Sequence, residues 1–238
     1  MKSFALLLAS LAVAGSPGRA ASQKPTAEHF FRPGSVALSI YGGGGAFSKV
    51  HRIQGAEGSE DPADVVVQTS GAFAGEAVWW LTGNLGLRLH GSFLPSRFDV
   101  RSERDESGLA GAGTAARVAW RGVHVWIADA AVLVRPPVTL GRMMPYAVVG
   151  GGIVSYRPRG EDALPPELGE AFSGGARNAG AAVLGLGAVL PLQRERLLLS
   201  FALTNHITRP LVAAGADPST TSHVRLLAGI TLPLRSGR

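Results

Sequence analysis

Residues Ser222–Leu234, SHVRLLAGITLPL, alternate in side-chain character from one position to the next. One alternate set is apolar throughout and consists of Val224, Leu226, Ala228, Ile230, Leu232 and Leu234. The other set is mainly small or polar and consists of Arg225, Leu227, Gly229, Thr231 and Pro233. Because successive side chains of a β-strand point to opposite faces, this period of two predicts a strand with one bulky apolar face and one small or polar face.

The same alternation recurs through most of the chain. Leu87 and Leu89, for example, lie on one face of a predicted strand, and Arg88 lies on the other. A period of two bounded by turn-forming residues is the pattern of a β-strand. The sequence predicts eight strands, at residues 35–47, 65–82, 85–99, 117–135, 144–157, 179–192, 197–208 and 222–234.

The connections between the predicted strands alternate in length. Three are short, at residues 83–84, 136–143 and 193–196. Four are longer and rich in Gly, Pro, Ser and charged residues, at residues 48–64, 100–116, 158–178 and 209–221. Alternating short turns and long loops are typical of an up-and-down membrane barrel whose short turns and both termini lie on the periplasmic side. A Greek-key sandwich has no reason to alternate its loops in this way.

The composition narrows the class of protein. The 238 residues are 46% hydrophobic and 17% charged, with 32 Gly, and the mean hydropathy is +0.19. These values exclude a disordered chain, which combines low apolar content with high net charge. The absence of Cys excludes disulfides, thiolate metal sites and a catalytic cysteine. The net charge of +6 comes mainly from arginine residues. These residues form no basic cluster interleaved with aromatic residues, so we expect no nucleic-acid partner.

The first residues have the pattern of a secretory signal. Lys2 supplies a positive charge and Phe4–Val13 is an apolar run. Two small-x-small cleavage sites follow, ending at Ala14 and at Ala20, and the polar residues after Ala21 favour the second. We therefore expect a signal peptide at residues 1–20, an N-terminal periplasmic segment at residues 21–34 and a barrel domain at residues 35–235.

No later segment has the length of a membrane-spanning helix. The longest uncharged runs after the signal, residues 33–48 and 178–193, each contain several glycines. Both are shorter than the roughly 20 apolar residues that a spanning helix needs. An exported and strongly apolar chain without such a helix is either a transmembrane β-barrel or a soluble β-protein with a large core.

Three segments carry a resemblance to a known family. They are residues 144–152 (MPYAVVGGG), the Gly-rich end of the first strand at residues 41–45 (YGGGG) and the last strand. Over roughly residues 33–235 the chain resembles the small eight-stranded outer-membrane barrels of the OmpA-transmembrane-domain and OmpX type. The resemblance implies an all-β, eight-stranded antiparallel up-and-down transmembrane β-barrel in the outer membrane. It also implies contact with outer-membrane lipid and lipopolysaccharide, insertion by the barrel-assembly machinery and a monomeric state.

Five charged residues fall on the small or polar faces of the predicted strands: Glu76, Arg88, Arg121, Asp129 and Arg225. His90 and His206 fall on the same faces. The lumen of an eight-stranded barrel is just wide enough for side chains to fill it, and unpaired buried charge is costly. We therefore expect this barrel-interior polar cluster to pair its charges and close the lumen. The expected role is structural or surface-interacting, through exposed loops and without catalytic activity, cofactor or metal.

The sequence is compatible with two alternative functions. The first is a lipid hydrolase, because Asn205-His206-Ile207-Thr208 is similar in outline to the His-x-Ser of outer-membrane lipid A deacylases. In such an enzyme His206 would need a carboxylate to orient it, and the sequence shows no obvious carboxylate partner. The second alternative is a soluble periplasmic calycin-like barrel that binds an apolar ligand, which requires the bulky apolar face to point inward.

Tyr146 and Tyr156 offer a geometric check on the membrane barrel. They are ten residues apart and so share a face of one strand. Ten tilted strand residues rise roughly 25 Å, the separation of the two aromatic girdles of a membrane barrel. The pair is compatible with girdle positions on the outer face, and two core tyrosines are the alternative.

Overall fold

The computed structural model describes residues 30–53, 63–102, 119–159, 176–192, 197–209 and 220–234. The side chains of residues 49–53, 63–65, 99–102 and 119–121 are not described. The predicted signal peptide and residues 21–29 of the predicted periplasmic segment lie outside this part of the chain. Within it, no helix is long and apolar enough to cross a membrane.

The chain forms strands that pair antiparallel with their neighbours. They are β1 (Val36–Phe47), β2 (Lys49–Ile53), β3 (Ala63–Val67), β4 (Ser70–Trp80), β5 (Leu85–Ser102), β6 (Ala119–Val134), β7 (Met144–Pro158), β8 (Arg177–Pro191), β9 (Leu198–Thr208) and β10 (Thr221–Leu234).

Eight of these strands close a barrel in the order β1-β4-β5-β6-β7-β8-β9-β10. The last strand pairs with the first along its whole length, from Val36↔Leu234 to Phe47↔His223. Closure leaves no unpaired edge among these strands. The predicted all-β, eight-stranded up-and-down barrel is confirmed, and most predicted strands match the observed ones to within two or three residues.

The predicted strand at residues 65–82 is wrong in one respect, because it is interrupted at Gln68 and Thr69. The segment before the interruption, β3, continues beside β5 where β4 leaves off, with the register offset by one residue: Phe73 pairs with Phe93, and Val67 pairs with Phe98. The interruption also changes which face alternate residues occupy: Val67 is buried and Phe73 is exposed, although the sequence pattern put them on one face. With β2, which lies in the predicted connection 48–64, β3 extends the sheet beyond one rim.

The two ends of the barrel differ in their connections. At one end, here named the short-turn end, β4 joins β5, β6 joins β7 and β8 joins β9 through short segments. The opposite end, named the long-loop end, holds the far ends of β5 and β6 and the β2–β3 extension. This alternation agrees with the predicted connection lengths.

The bulky apolar side chains point away from the barrel axis. Ile40 is 72% exposed, and Phe73 and Leu89 are each 66% exposed. The inward positions of the same strands hold buried polar residues such as Glu76 and His90. This is the opposite of the arrangement that a calycin-like ligand-binding barrel requires, so that alternative is wrong.

Tyr146 and Tyr156 do not lie on the outer face. Both are buried in the barrel interior, with exposed fractions of 6% and 1%. The girdle interpretation of this pair is therefore wrong, because the inward face of β7 is the one that carries both rings. Trp79 and Trp126, in contrast, are about half exposed on the outer wall.

Candidate functional site

Three charged or ionisable residues form a row across neighbouring strands of the wall. Glu76 on β4 lies opposite His90 on β5, and His90 lies opposite Asp129 on β6. All three are inward positions and all are buried. Because side chains directly opposite each other on one face have Cβ atoms only about 5 Å apart, the register itself brings two acids and a histidine together in the lumen.

Asp129 is the centre of the cluster. Its Oδ1 accepts hydrogen bonds from Arg88 Nη2 at 2.6 Å and from Arg88 Nε at 3.2 Å. Its Oδ2 lies 3.0 Å from His90 Nδ1 and 2.9 Å from His206 Nε2. Arg225 Nη2 is 3.6 Å from the same oxygen. One carboxylate thus meets two guanidinium groups and two imidazoles, in a region shielded from solvent where such contacts are strong.

Glu76 occupies a separate position beside Arg88. Tyr41 donates its hydroxyl proton to Glu76 Oε1 at 3.0 Å, and Arg88 Nε lies 3.6 Å from Glu76 Oε2. Arg88 therefore lies between two carboxylates. Both carboxylates have a cationic neighbour, which offsets part of the cost of burying them.

Arg225 approaches the cluster from the opposite wall. Its Nη1 donates to Ser92 Oγ. Its Nη2 lies 3.3 Å from His206 Nδ1, so a neutral His206 can donate to Asp129 from Nε2 and accept from Arg225 at Nδ1.

Among the five residues of the predicted interior cluster, the structure brings together Glu76, Arg88, Asp129 and Arg225, whereas the side chain of Arg121 lies outside the described part of the chain.

Some polar atoms in this region have no protein partner within the described residues. They are Arg88 Nη1, His90 Nε2, Thr204 Oγ1 and Arg225 Nε. Buried polar groups in folded proteins bond to protein or to ordered water. These four atoms are therefore the positions where internal water is expected to complete the network.

Tyr41 and Ser92 also contact the cluster, and both occupy inward positions of their strands. The alternating pattern of the sequence places both on the same faces as the charged residues. It could not identify their partners, because the contacts of Arg225 with Ser92 and of His206 with Asp129 cross the barrel and depend on its closure.

The structure supplies His206 with the carboxylate that the sequence did not reveal. The hydroxyl of the predicted motif, Thr208, contacts the Thr221 carbonyl at 3.5 Å and His223 Nε2 at 3.4 Å. His206 is fully buried, and its two ring nitrogens face Asp129 and Arg225. The carboxylate and the guanidinium group thus hold the imidazole in place, and Thr208 bonds to other groups. Within the described residues no group of three His, Asp or Glu side chains is arranged to hold a metal ion.

Inward glycines make room for the large side chains of the lumen. A Cβ atom at Gly152 would lie 2.8 Å from the Cβ of Asp129, and a Cβ at Gly187 would overlap the ring of Tyr146. A Cβ at Gly229 would lie 2.6 Å from Cδ1 of Tyr41. Each of these glycines pairs in register with the residue that it accommodates. The glycine-rich inner faces are therefore part of the packing that positions the polar cluster.

The short-turn end of the lumen holds two aromatic residues that precede β1. Phe30 and Phe31 are buried, and the Phe31 ring meets Trp80 edge to face at 4.8 Å. The Arg135 guanidinium lies over the Phe31 ring, 4.4 Å from its centre. Gly34 turns the chain from this pair into β1 with a φ of 80° and donates its N–H to the Trp80 carbonyl at 2.7 Å.

A small cavity of about 30 Å³ separates the aromatic pair from the ionic cluster. Its polar lining includes Ser39, Ser200 and Thr231, whose hydroxyls bond to one another, with Ser39 Oγ 2.7 Å from Thr231 Oγ1. A polar cavity of this size has room for one or two water molecules.

A closed barrel with a bulky apolar outer wall and a polar interior defines an outer-membrane type of β-barrel. The comparison with solved structures agrees. The chain is similar to the outer membrane protein OprG of Pseudomonas aeruginosa, with a TM-score of 0.52 at 12% sequence identity over 87% of this chain and 100% of that chain. It is also similar to the outer membrane protein AlkL, solved in lipid bilayers, with a TM-score of 0.55 at 14% identity over 95% of this chain and 98% of that chain.

At these identities the likeness establishes the fold. No family model matches the sequence, and the search of curated proteins finds no match. The small eight-stranded outer-membrane barrels are thus the structural class to which this architecture corresponds.

Proposed function

We propose that the protein resides in the outer membrane as a monomeric barrel with a closed lumen and a structural or surface-interaction role carried by its long-loop end. The observation that supports a closed lumen most directly is the contact of Asp129 with side chains from opposite walls, Arg88 on β5 and His206 on β9. A lumen crossed by such contacts offers no continuous path to an ion, since passage requires their separation.

The outer wall supports the membrane location. Ile40, Phe73, Leu89 and Leu226 are each at least 65% exposed, and a bilayer removes such side chains from water. An aqueous location would leave a continuous apolar surface far larger than soluble monomers expose. In this setting the partners are outer-membrane lipid, lipopolysaccharide and, during insertion, the barrel-assembly machinery.

The described geometry favours a non-catalytic role. A lipid hydrolase based on His206 would need a nucleophilic hydroxyl within hydrogen-bond reach of the imidazole and open to lipid. Thr208 bonds elsewhere and is itself buried. Glu76, Arg88, Asp129 and Arg225 are accordingly proposed as packing residues of the lumen, and Arg121 is proposed as a fifth member.

The test combines location, folding and permeability of the full-length protein. Recovery in the outer-membrane fraction, with a band that migrates faster before boiling than after, is the expected result for a folded membrane barrel. Liposomes that contain the refolded protein should swell no faster in small sugars or salts than protein-free liposomes. Recovery in the soluble periplasm would overturn the location, and rapid swelling would overturn the closed lumen while leaving the location intact.

A further inference from the structure

A groove lies across the outward faces of β4, β5 and β6. Its floor consists of residues without bulky side chains, Gly75, Gly91 and Ala128, which lie side by side in register on the three strands. The groove encloses about 690 Å³. The missing side chains on three adjacent strands therefore produce a depression in an otherwise bulky wall.

Apolar side chains border this depression. On its long-loop side Phe73, Phe93 and Trp126 occupy one row across the same three strands. The rings of Phe93 and Trp126 lie 4.7 Å apart, and Trp126 is 49% exposed. Ile40 and Ile153, both more than half exposed, close the two sides. The lining is that of a site for a hydrocarbon chain.

Arginines lie directly beyond the aromatic row. On β5 the outward positions after Phe93 are Pro95 and Arg97, and on β7 the residue opposite His124 is Arg157. Arg97, Arg157 and Arg159 are all exposed. The backbone N–H of Arg159 donates to the Gly122 carbonyl at 2.8 Å, and Cδ of Arg159 would lie 3.5 Å from a Cβ at Gly122. The Arg159 side chain thus extends over β6 at Gly122, four residues nearer the long-loop end than Trp126.

Among the side chains that the structure describes, no carboxylate lies on this outer wall beside the arginines. The carboxylates of the described side chains are those of Glu76 and Asp129, and both are buried in the lumen. The outer wall of β5–β7 therefore combines an apolar groove with a positively charged upper end. A guanidinium group binds phosphate oxygens through parallel hydrogen bonds, which makes phosphate the complementary chemistry.

The height of the arginines fits a lipid headgroup. From Leu85 at the short-turn end to Arg97, a strand tilted by about 40° rises roughly 30 Å along the barrel axis. The apolar band of an outer-membrane barrel is about 25 Å tall, so with Leu85 at one edge of the band Arg97 lies about 5 Å beyond the other edge, at the level of the headgroups. The groove then lies below that edge, at the depth of the acyl chains.

We propose that this wall holds one anionic, phosphate-bearing acylated lipid of the outer leaflet, with an acyl chain in the groove over Gly91 and the phosphate against Arg97, Arg157 and Arg159. The inference rests on the proposed membrane location. It deepens that proposal by assigning a defined binding site, distinct from the general contact that every membrane barrel makes with lipid.

The test follows the fluorescence of Trp126 in lipid vesicles. A full-length variant that keeps Trp126 as its one tryptophan (Trp79→Phe, Trp80→Phe and Trp120→Phe) is refolded into equimolar phosphatidylglycerol and phosphatidylcholine. Bromine atoms on the acyl chains of one lipid or the other quench a nearby indole. We expect brominated phosphatidylglycerol to quench Trp126 about twofold more strongly than brominated phosphatidylcholine does, which is the scale of one or two partly exposed guanidinium–phosphate contacts. This preference should weaken in high salt.

Matched variants separate the charge from the groove. The triple variant Arg97→Gln, Arg157→Gln and Arg159→Gln should abolish the preference, and Arg157→Gln alone should reduce it if the triple variant does not fold. Gly91→Leu should reduce quenching by both lipids, because a Cβ at Gly91 has no atom within 4 Å and its side chain would fill the groove. Gly180→Leu on β8, where a Cβ is equally free, and Arg142→Gln at the short-turn end should change neither result.

Equal quenching by the two lipids, or a preference that survives loss of the arginines, would overturn the lipid site. Self-association that protects Trp126 from both lipids would assign the groove to a second copy of the chain and would also overturn it. Each sample is first checked for the heat-dependent change in migration. A parent protein that fails to insert refutes the proposed membrane function, whereas a protein that inserts without a preference refutes this inference alone.

Discussion

The carboxylate of Asp129 and the imidazole of His206 meet in the lumen, with 2.9 Å between Oδ2 and Nε2. The two residues belong to β6 and β9, which are separated in the barrel wall by β7 and β8. His90 contacts the same oxygen from β5, and Arg88 contacts the other carboxylate oxygen. A single acidic side chain therefore ties β9 to β5 and β6, two strands with which β9 shares no backbone hydrogen bonds.

Asp129→Asn should destabilise the barrel strongly. The substitution keeps the size of the side chain but removes the charge that faces two buried guanidinium groups, and breaking a buried ion pair costs about 3–5 kcal/mol. The free energy of unfolding can be measured by tryptophan fluorescence of the refolded protein in urea. Arg142→Gln, an exposed substitution at the short-turn end, serves as control and should stay within about 0.5 kcal/mol of the parent. An unchanged unfolding midpoint for Asp129→Asn would show that the cluster contributes little to stability.

Phe31→Ala should loosen the short-turn end. The ring is buried against Trp80, and truncating a buried Phe to Ala costs about 3–5 kcal/mol. Loss of the ring also exposes Trp80, which is otherwise 4% exposed, so the tryptophan emission should shift to longer wavelength. Arg32→Ala changes the adjacent, exposed residue and should leave both the stability and the emission as they are. If Phe31→Ala behaves like Arg32→Ala, the aromatic pair does not hold this end of the barrel together.

The strand pattern could be predicted from the sequence because the alternation is a local property. Leu87, Arg88 and Leu89 reveal their faces without reference to any other strand. The interruption at Gln68 and Thr69 could not be predicted, because the residues on both sides of it read as one strand and the one-residue change of register appears only in their pairing with β5. The inward orientation of Tyr146 was likewise hidden, since an aromatic residue suits either a girdle or a lumen.

Gly187→Ala should test the packing of a large ring against a missing side chain. A Cβ at this position would overlap the ring of Tyr146, because Tyr146 on β7 lies opposite Gly187 on β8. Overpacking of this kind costs about 1–3 kcal/mol, because the ring or the backbone must move. Gly180→Ala is the matched control on the same strand, where a Cβ has no atom within 4 Å. Equal unfolding midpoints for the two variants would mean that the Tyr146 ring moves aside without cost.

The membership of the ionic cluster was largely accessible from the sequence, but its connections were not. Glu76, Arg88, Asp129 and Arg225 are charged residues at inward positions, and the cost of burying charge implies that they have partners. Which group meets which depends on the stagger between strands around the closed barrel. That stagger aligns Asp129 with His90 on the neighbouring strand and brings His206 across the lumen, and no local pattern encodes it.

His206→Ala distinguishes a packing residue from a catalytic one. The imidazole is fully buried and bridges Asp129 and Arg225, so its removal leaves both charges with fewer partners and should lower the urea midpoint of the barrel. The parent protein, refolded with outer-membrane lipids, should release fatty acid no faster than protein-free vesicles, and His206→Ala should give the same rate. Thr208→Val is the companion variant, because it removes the hydroxyl that a hydrolase of this type would use. Release of fatty acid by the parent that both substitutions abolish, with the heat-dependent migration of each variant intact, would establish catalysis and overturn the packing role of His206.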